Sequence, residues 1–384
     1  MAHAVPYFRL SAFYLFYFAS IGIFMPYWSV YLQSLGFTPV QIGELFAIPL
    51  ATKIYAPYLW GWLADRHGRH LEIIRWTTFV ALVAFAFVIN LRSFLGLALT
   101  LSVYSFFWHA ALPQFEAVTI NHLGERRERY SRIRLWGSVG FIVAVTGLGY
   151  WLEHRGIDVL PVVMMVALGG IWISSLLIPP VREPPHAHVH LSALHRLRQP
   201  AVWGFLLACF LMQASHGPYY AFLSIYLKDH GYSATAIGQL WALGVVAEIG
   251  VFLLVHRWLL RIGAVRLFQA AILVTALRWV LLAEYVDRLP VLLLAQSLHA
   301  ASYGLFHASA IDLVNRFFPG KLQGRGQALY ASLSFGLGNA VGSLASGHLW
   351  TATSPETTYL VAAAVCLAGF GVTVALLPRR IAKL

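Results

Sequence analysis

The sequence predicts an all-α integral membrane protein, with twelve transmembrane helices in two pseudo-symmetric six-helix bundles. Three observations carry that fold class. Of the 384 residues, 59% are hydrophobic and only 11% are charged, against about 25% charged in soluble domains. So little charge cannot coat a globule of this size, and apolar patches would stay in water. Apolar runs of about 20 residues, long enough to cross the hydrocarbon as helices, recur along the chain. The second half of the chain also repeats the first.

The runs fall near 9–33, 40–63, 71–90, 94–120, 134–152, 159–179, 201–227, 234–256, 266–285, 289–313, 327–350 and 357–377. Turn residues separate them, among them Gly36-Phe37-Thr38-Pro39, Gly156-Ile157-Asp158, Gly231-Tyr232-Ser233 and Ser354-Pro355. Pro26, Pro49, Pro57, Pro113 and Pro218 lie inside runs. Membrane helices tolerate them because neighbouring groups re-satisfy the freed carbonyls. The first run reads as an uncleaved helix, with no small-residue cleavage site at the expected place. Cys209 and Cys366 both lie in apolar runs and form no disulfide framework.

Orientation follows from the cations. With both termini cytoplasmic, 21 of the 27 Lys and Arg fall on inner segments, four on outer loops, and Lys53 and Arg278 inside helices. This is the inside-positive bias of a membrane protein, so the net charge of +12 implies no nucleic acid. The lipid bilayer is the expected surroundings, in the cell inner membrane.

The longest polar loop runs from Pro179 to Gln199. It divides the chain into a bundle over 1–180, a cytoplasmic linker over 181–200 and a bundle over 201–384. At a shift of 195, Ser20 meets Ser215, Gly22 meets Gly217, Tyr31-Leu32 meets Tyr226-Leu227 and Ile42-Gly43 meets Ile237-Gly238. Parallel duplication of this kind relates two halves by an axis along the membrane normal.

The loop after the second helix reads Gly61-Trp62-Leu63-Ala64-Asp65-Arg66-His67-Gly68-Arg69-His70. It resembles the G-x-L-a-D-r-x-G-r-[K/R] signature of the major facilitator superfamily, departing only at His70. The resemblance implies a conformational latch built from Asp65, Arg66, Gly68 and Arg69. Asp65 is placed to cap the next helix, and Gly68 permits the turn. The bland alternative is a topological anchor.

Further along, Glu116 precedes Arg134 by 18 residues, within Arg132-Ile133-Arg134-Leu135-Trp136-Gly137-Ser138. Later helices carry Gly244-Val245-Val246-Ala247-Glu248, Arg278-Trp279, Gln296-x-x-His299 and His307. This set resembles the proton-coupled lactose permease and, more closely, the 3-phenylpropionate permease group. In those carriers the acid and the arginine face the central cavity. Ser302 stands where lactose permease has its proton-carrying acid, so that mechanism does not transfer residue for residue.

Charge inside the bilayer costs ~2.5–3.5 kcal/mol per residue on insertion scales and marks pathways. Lys53, Glu248 and Arg278 lie mid-helix, with Glu116 and Arg134 nearer the inner ends. Lys53, Arg278, Glu116 and Arg134 are therefore candidate substrate-binding residues, with Lys53 or Arg278 taking a substrate carboxylate; Tyr219, an aromatic beside Pro218, joins them as a ring suited to lining the cavity, with packing or interface anchoring as the alternative. Lys53 and Glu248 are one repeat apart, and a structural ion pair between them is the alternative. Glu248, His299 and His307 are the candidate proton-coupling residues, since burial raises a carboxyl pKa and an ordinary imidazole titrates near neutrality. Interhelical hydrogen bonding is the competing role for each histidine.

His186-x-His188-x-His190, with His195, reads as a solvated linker rather than a metal site. No Walker loop, dinucleotide fingerprint, HExxH or CxxC occurs, so neither catalysis nor a cofactor or metal is expected. Small residues at Gly140-x-x-x-Ala144 and Gly338-x-x-x-Gly342-x-x-x-Ser346 would allow close backbone approach and let the halves pack and rock. The whole predicts a monomeric alternating-access transporter taking up a small aromatic carboxylate with protons. The rivals are a sugar or nucleoside symporter, an efflux antiporter and a non-transporting membrane sensor.

Overall fold

The computed structural model describes residues 5–180 and 196–378. The His186–His195 tract lies outside them. Twelve helical segments follow in order. They are α1 (Tyr7–Ser34), α2 (Pro39–Thr52 and Ala56–His67), α3 (His70–Ile89), α4 (Phe94–Leu123), α5 (Arg127–Arg155) and α6 (Ile157–Leu177). Next come α7 (Pro200–Ala214 and Gly217–Asp229), α8 (Ala234–Arg261), α9 (Ala264–Tyr285) and α10 (Leu289–Phe317). The last two are α11 (Gln323–Ala331, Ser332–Gly338 and Asn339–Ala352) and α12 (Pro355–Leu376). The described residues contain no strand.

Nine of these segments are long and apolar enough to cross a membrane. The other three, α2, α7 and α11, are interrupted. Here the structure departs from the continuous runs read in the sequence, and the prolines explain two cases. Pro57 has no N–H for the carbonyl of residue 53 four positions back, and α2 opens at Lys53–Tyr55. Pro218 does the same to Ala214, and α7 opens at Ser215–His216. In α10 and α11 the helix instead widens to π geometry over Ala300–Leu305 and Ser332–Gly338. Such bulges frequently sit at functional sites.

The chain forms two compact units, each with its own interior. The first comprises Met1–Phe37, Ala51–Ala187 and Ser233–Gln239. The second comprises Thr38–Leu50, His188–Tyr232 and Leu240–Leu384. In the first, Glu153 at the end of α5 accepts from the backbone N–H of Thr235 at 3.2 Å, and from its hydroxyl, capping the start of α8. In the second, Thr38 and Gln41 cap the start of α2 reciprocally, the Thr38 N–H donating to Gln41 Oε1 at 3.0 Å.

The polarity of the fold is that of a membrane protein. Phe8, Trp76, Leu253 and Leu260 are 70% or more exposed, whereas Gln213, His216, Arg278 and Gln296 are fully buried. Two arginines serve as helix caps. Arg75 donates to the carbonyls of Ser175 and Ile178 at 3.2 and 2.9 Å, and Arg9 to Leu177 at 3.0 Å. Both satisfy the free end of α6.

The small-residue stripes pack inside the units. A Cβ on Gly140 would lie 2.1 Å from the Leu15 carbonyl of α1. One on Gly342 would lie 2.1 Å from the Ala214 carbonyl of α7. At both positions the backbones are in direct contact and only glycine fits.

Candidate functional site

The second unit gathers Tyr219 of α7, Glu248 of α8, Arg278 of α9 and His299 of α10. Arg278 is wholly buried, and four bonds hold its guanidinium. Nε donates to the Ala295 carbonyl at 2.8 Å, Nη2 to Gln296 Oε1 at 2.9 Å, and Nη1 to Ser302 Oγ at 3.1 Å and His299 Nδ1 at 3.2 Å. The guanidinium carbon lies 4.1 Å from the centre of the Tyr219 ring and 4.8 Å from that of Trp279, a cation–π arrangement. The Tyr219 hydroxyl donates to Gln296 Oε1 at 3.4 Å.

A guanidinium has no acceptor, so His299 Nδ1 must accept. The neutral imidazole then carries its proton on Nε2, which faces Glu248 Oε2 at 4.0 Å. Two glycines make room for this pair. The His299 ring lies 3.1 Å from where a Cβ would stand on Gly244 of α8. The Glu248 Cγ lies 3.2 Å from where one would stand on Gly304 of α10. Each helix thus gives up a side chain where the other places its titratable group.

From Tyr219 a column of near-parallel rings continues along α10. Tyr219 and His299 are centred 5.5 Å apart, His299 and Tyr303 5.9 Å, and Tyr303 and His307 6.0 Å. His307 is half-buried at the end of the column, its Nδ1 3.2 Å from the Tyr330 hydroxyl of α11. Stacked rings thus lead from the Arg278 cluster to His307.

In the first unit, Glu116 Oε1 accepts from the Tyr130 hydroxyl at 3.4 Å. The Arg134 guanidinium lies 3.9 Å from the centre of Phe18 and 5.5 Å from that of Tyr14. Lys53 stands half-buried at the opening in α2. Beside it, the Thr52 hydroxyl donates to Ser105 of α4 at 2.9 Å.

The loop after α2 turns at Gly68, whose φ of +62° is left-handed. Asp65 makes no cap of the following helix; its carboxylate lies 3.5 Å from His70 Nε2 instead. Arg69 pairs with Glu72 at 3.4 Å and Arg66 lies over Trp62 at 5.4 Å, all at the surface. Gln296 and Ser302 both bond Arg278, yet neither carries a charge, so the cost of intramembrane charge does not mark them in the sequence. His216 lies buried at the α7 opening.

A family model described as MFS_1 like matches residues 7–361. The chain belongs to the MFS_1 like family. It is a multi-pass membrane protein with the major facilitator fold, a secondary transporter by family. A relative from Escherichia coli (strain K12), described as a probable 3-phenylpropionic acid transporter, is 28% identical over 88% of this chain and 89% of its own. The maltose permease of Geobacillus stearothermophilus is also 28% identical, over 89% of this chain and 88% of its own. The crystal structure of the nucleoside transporter NupG superposes with a TM-score of 0.87 at 16% identity, covering 96% of this chain and 98% of that one. That likeness concerns the fold.

Proposed function

We propose that this family member is a proton-coupled importer of small aromatic carboxylates, with 3-phenylpropionate as the representative substrate. It acts as a monomer in the cell inner membrane, with both termini cytoplasmic. The observation that carries the proton half is the Arg278–His299–Glu248 chain. Arg278 occupies the His299 Nδ1 lone pair, so a second proton on that ring would break the contact. Glu248 is then the group that takes up and releases the proton, and neutral His299 orients it. The relative described as a probable 3-phenylpropionic acid transporter supports the substrate half.

Lys53 is the cation for the substrate carboxylate in this reading. Arg278 has four bonds within its own unit, and the face of the buried Tyr219 ring is covered by that guanidinium. Both act as the frame around Glu248 rather than as the substrate contact. Glu116, Tyr130 and Arg134 offer a second polar cluster. Their mixed donors and acceptors also suit hydroxyl recognition, and with the maltose permease relative they favour a sugar as the second reading.

The test is uptake of labelled 3-phenylpropionate by proteoliposomes under an inward proton gradient. Accumulation that collapses with a protonophore is the expected result. Absence of uptake, with maltose accumulated instead, would establish the second reading.

A further inference from the structure

Two helices of the second unit widen to π geometry where their aromatic side chains meet. The widened stretch of α10 (Ala300–Leu305) carries Tyr303, and that of α11 (Ser332–Gly338) carries Phe335. The two rings are centred 5.9 Å apart at 57°. His307 lies nearly parallel to Tyr303, at 6.0 Å and 14°, and meets Phe335 at 5.8 Å and 63°. The buried ring of Tyr330 braces Phe335 edge-on at 5.7 Å. Tyr303, His307 and Phe335 are each half-buried, so part of every ring stays accessible.

The accessible side is not the lipid side. On this stretch of α11 the exposed large apolar residues are Leu337, Val341 and Leu344, one face at helical spacing. Phe335 precedes Leu337 by two residues, which in α or π geometry places it on the opposite side. It shares its face with Asn339, Ser343 and Gly347, which follow at intervals of four. Further along that face the first piece of α2 packs backbone to backbone. A Cβ on Gly43 would stand 2.6 Å from the Ser343 carbonyl, and one on Gly347 would stand 2.5 Å from the Pro39 carbonyl. The face is therefore an inner one, covered by α2 at Ser343 and Gly347 and only half-covered at Phe335.

Three rings so arranged make a corner, with Tyr303 and His307 as one wall and Phe335 as the other. A flat aromatic ring placed in it stacks on one wall and meets the other edge-on, and both arrangements are favourable. A saturated ring of the same size has no π-quadrupole and gains neither. We propose that Tyr303, His307 and Phe335 bind the aromatic ring of the substrate. This rests on the reading of the protein as an importer of aromatic carboxylates, and adds to it the residues that select the aryl end. Tyr303 also stacks on His299 at 5.9 Å, the ring that faces Glu248. The substrate ring is thereby one side chain away from the coupling pair.

The test follows Tyr303 itself, in the full chain labelled with 3-fluorotyrosine and purified in detergent. The chain has 18 tyrosines, and the ¹⁹F NMR signal missing from Tyr303→Phe is that of Tyr303. The probes are 3-phenylpropionate, the uncharged 3-phenylpropan-1-ol and the cyclohexyl analogue of each. Both phenyl probes should shift the Tyr303 signal by ring current, and both cyclohexyl probes should leave it in place. A signal that no phenyl probe moves would overturn the ring site, even if proteoliposomes take up 3-phenylpropionate. A shift without any uptake would uphold the ring site and remove the import reading. Competition against labelled uptake gives the second readout. Phe335→Leu keeps an apolar side chain and loses the ring. It should weaken 3-phenylpropionate about fivefold, the order of one aromatic contact, and leave 3-cyclohexylpropionate unchanged. Equal weakening of both acids would make Phe335 a packing residue and take it out of the site.

Discussion

Arg278 donates through Nη1 to Nδ1 of His299 at 3.2 Å, and this one contact assigns the histidine's proton to the nitrogen that faces Glu248. Lysine cannot reproduce it. Its ammonium has three donors and no planar fork, so it cannot reach Ala295, Gln296, His299 and Ser302 together. Arg278→Lys should cut the initial rate of uptake tenfold or more at equal expression. Uptake within twofold of wild type would show that the geometry of the guanidinium is dispensable.

If Glu248 carries the proton, removing its charge separates exchange from accumulation. Glu248→Gln keeps the shape beside Gly304 and leaves an amide oxygen for the His299 Nε2–H. The variant should exchange labelled for unlabelled substrate across the membrane at near wild-type rate, yet fail to concentrate it under an inward proton gradient. Continued accumulation would return the coupling role to another group, His307 first.

The sequence displayed the charges but hid what surrounds them. Lys53, Glu248 and Arg278 were conspicuous because charge is costly inside a bilayer, and the superfamily loop was legible through Asp65, Gly68 and Arg69. Pro57 and Pro218 were visible too. Yet a proline within a membrane helix can be absorbed or can open the helix, and in α2 and α7 the helix opens. The π segments of α10 and α11 left no comparable mark, since their residues are ordinary for a helix. The four ties on Arg278 depend on which way Gln296, His299 and Ser302 face once α10 widens. Simple helical spacing does not give that. His70 was readable only as a departure from a signature; its partner Gln114 lies 44 residues away.

The reciprocal seating of α8 and α10 predicts coupled defects from opposite sides. A Cβ on Gly304 would stand 3.2 Å from the Glu248 Cγ, and one on Gly244 would stand 3.1 Å from the His299 ring. Valine at either position adds two further carbons to a contact already tight, and overpacking costs about 1–3 kcal/mol. Both Gly304→Val and Gly244→Val should lower proton-driven uptake about tenfold. Gly371→Val, with nothing within 4 Å of its Cβ site, should stay within twofold. Equal rates in all three variants would mean that the seating of Glu248 and His299 does not govern coupling.

Lys53 supplies the prediction that separates the two substrate readings. Its ammonium matters to a carboxylate and much less to a neutral sugar. Lys53→Gln should abolish 3-phenylpropionate uptake while leaving the melting temperature within a few degrees. If the protein instead carries maltose, that uptake should survive the substitution. Undiminished carboxylate uptake would take Lys53 out of the site and return Arg278 to consideration.

The last prediction concerns folding rather than transport. Gly140 against Leu15, and Gly342 against Ala214, are equivalent contacts in the two units, the fifth helix on the first and the eleventh on the seventh. In each, a Cβ would stand 2.1 Å from a carbonyl oxygen of the facing backbone. A flexible side chain could turn aside, but a helix backbone must move as a whole, and the rest of the bundle moves with it. Gly140→Ala and Gly342→Ala should therefore each lower the melting temperature by several degrees or prevent folded expression, a cost of about 3 kcal/mol or more for overpacking against backbone. Gly147→Ala, whose Cβ site has nothing within 4 Å, lies on the same helix as Gly140 and should be neutral or slightly stabilising, because alanine favours the helix by about 1 kcal/mol over glycine. Thermal melts of the three purified proteins decide the matter. A Gly140→Ala protein as stable as Gly147→Ala would show that the first unit does not depend on that backbone contact.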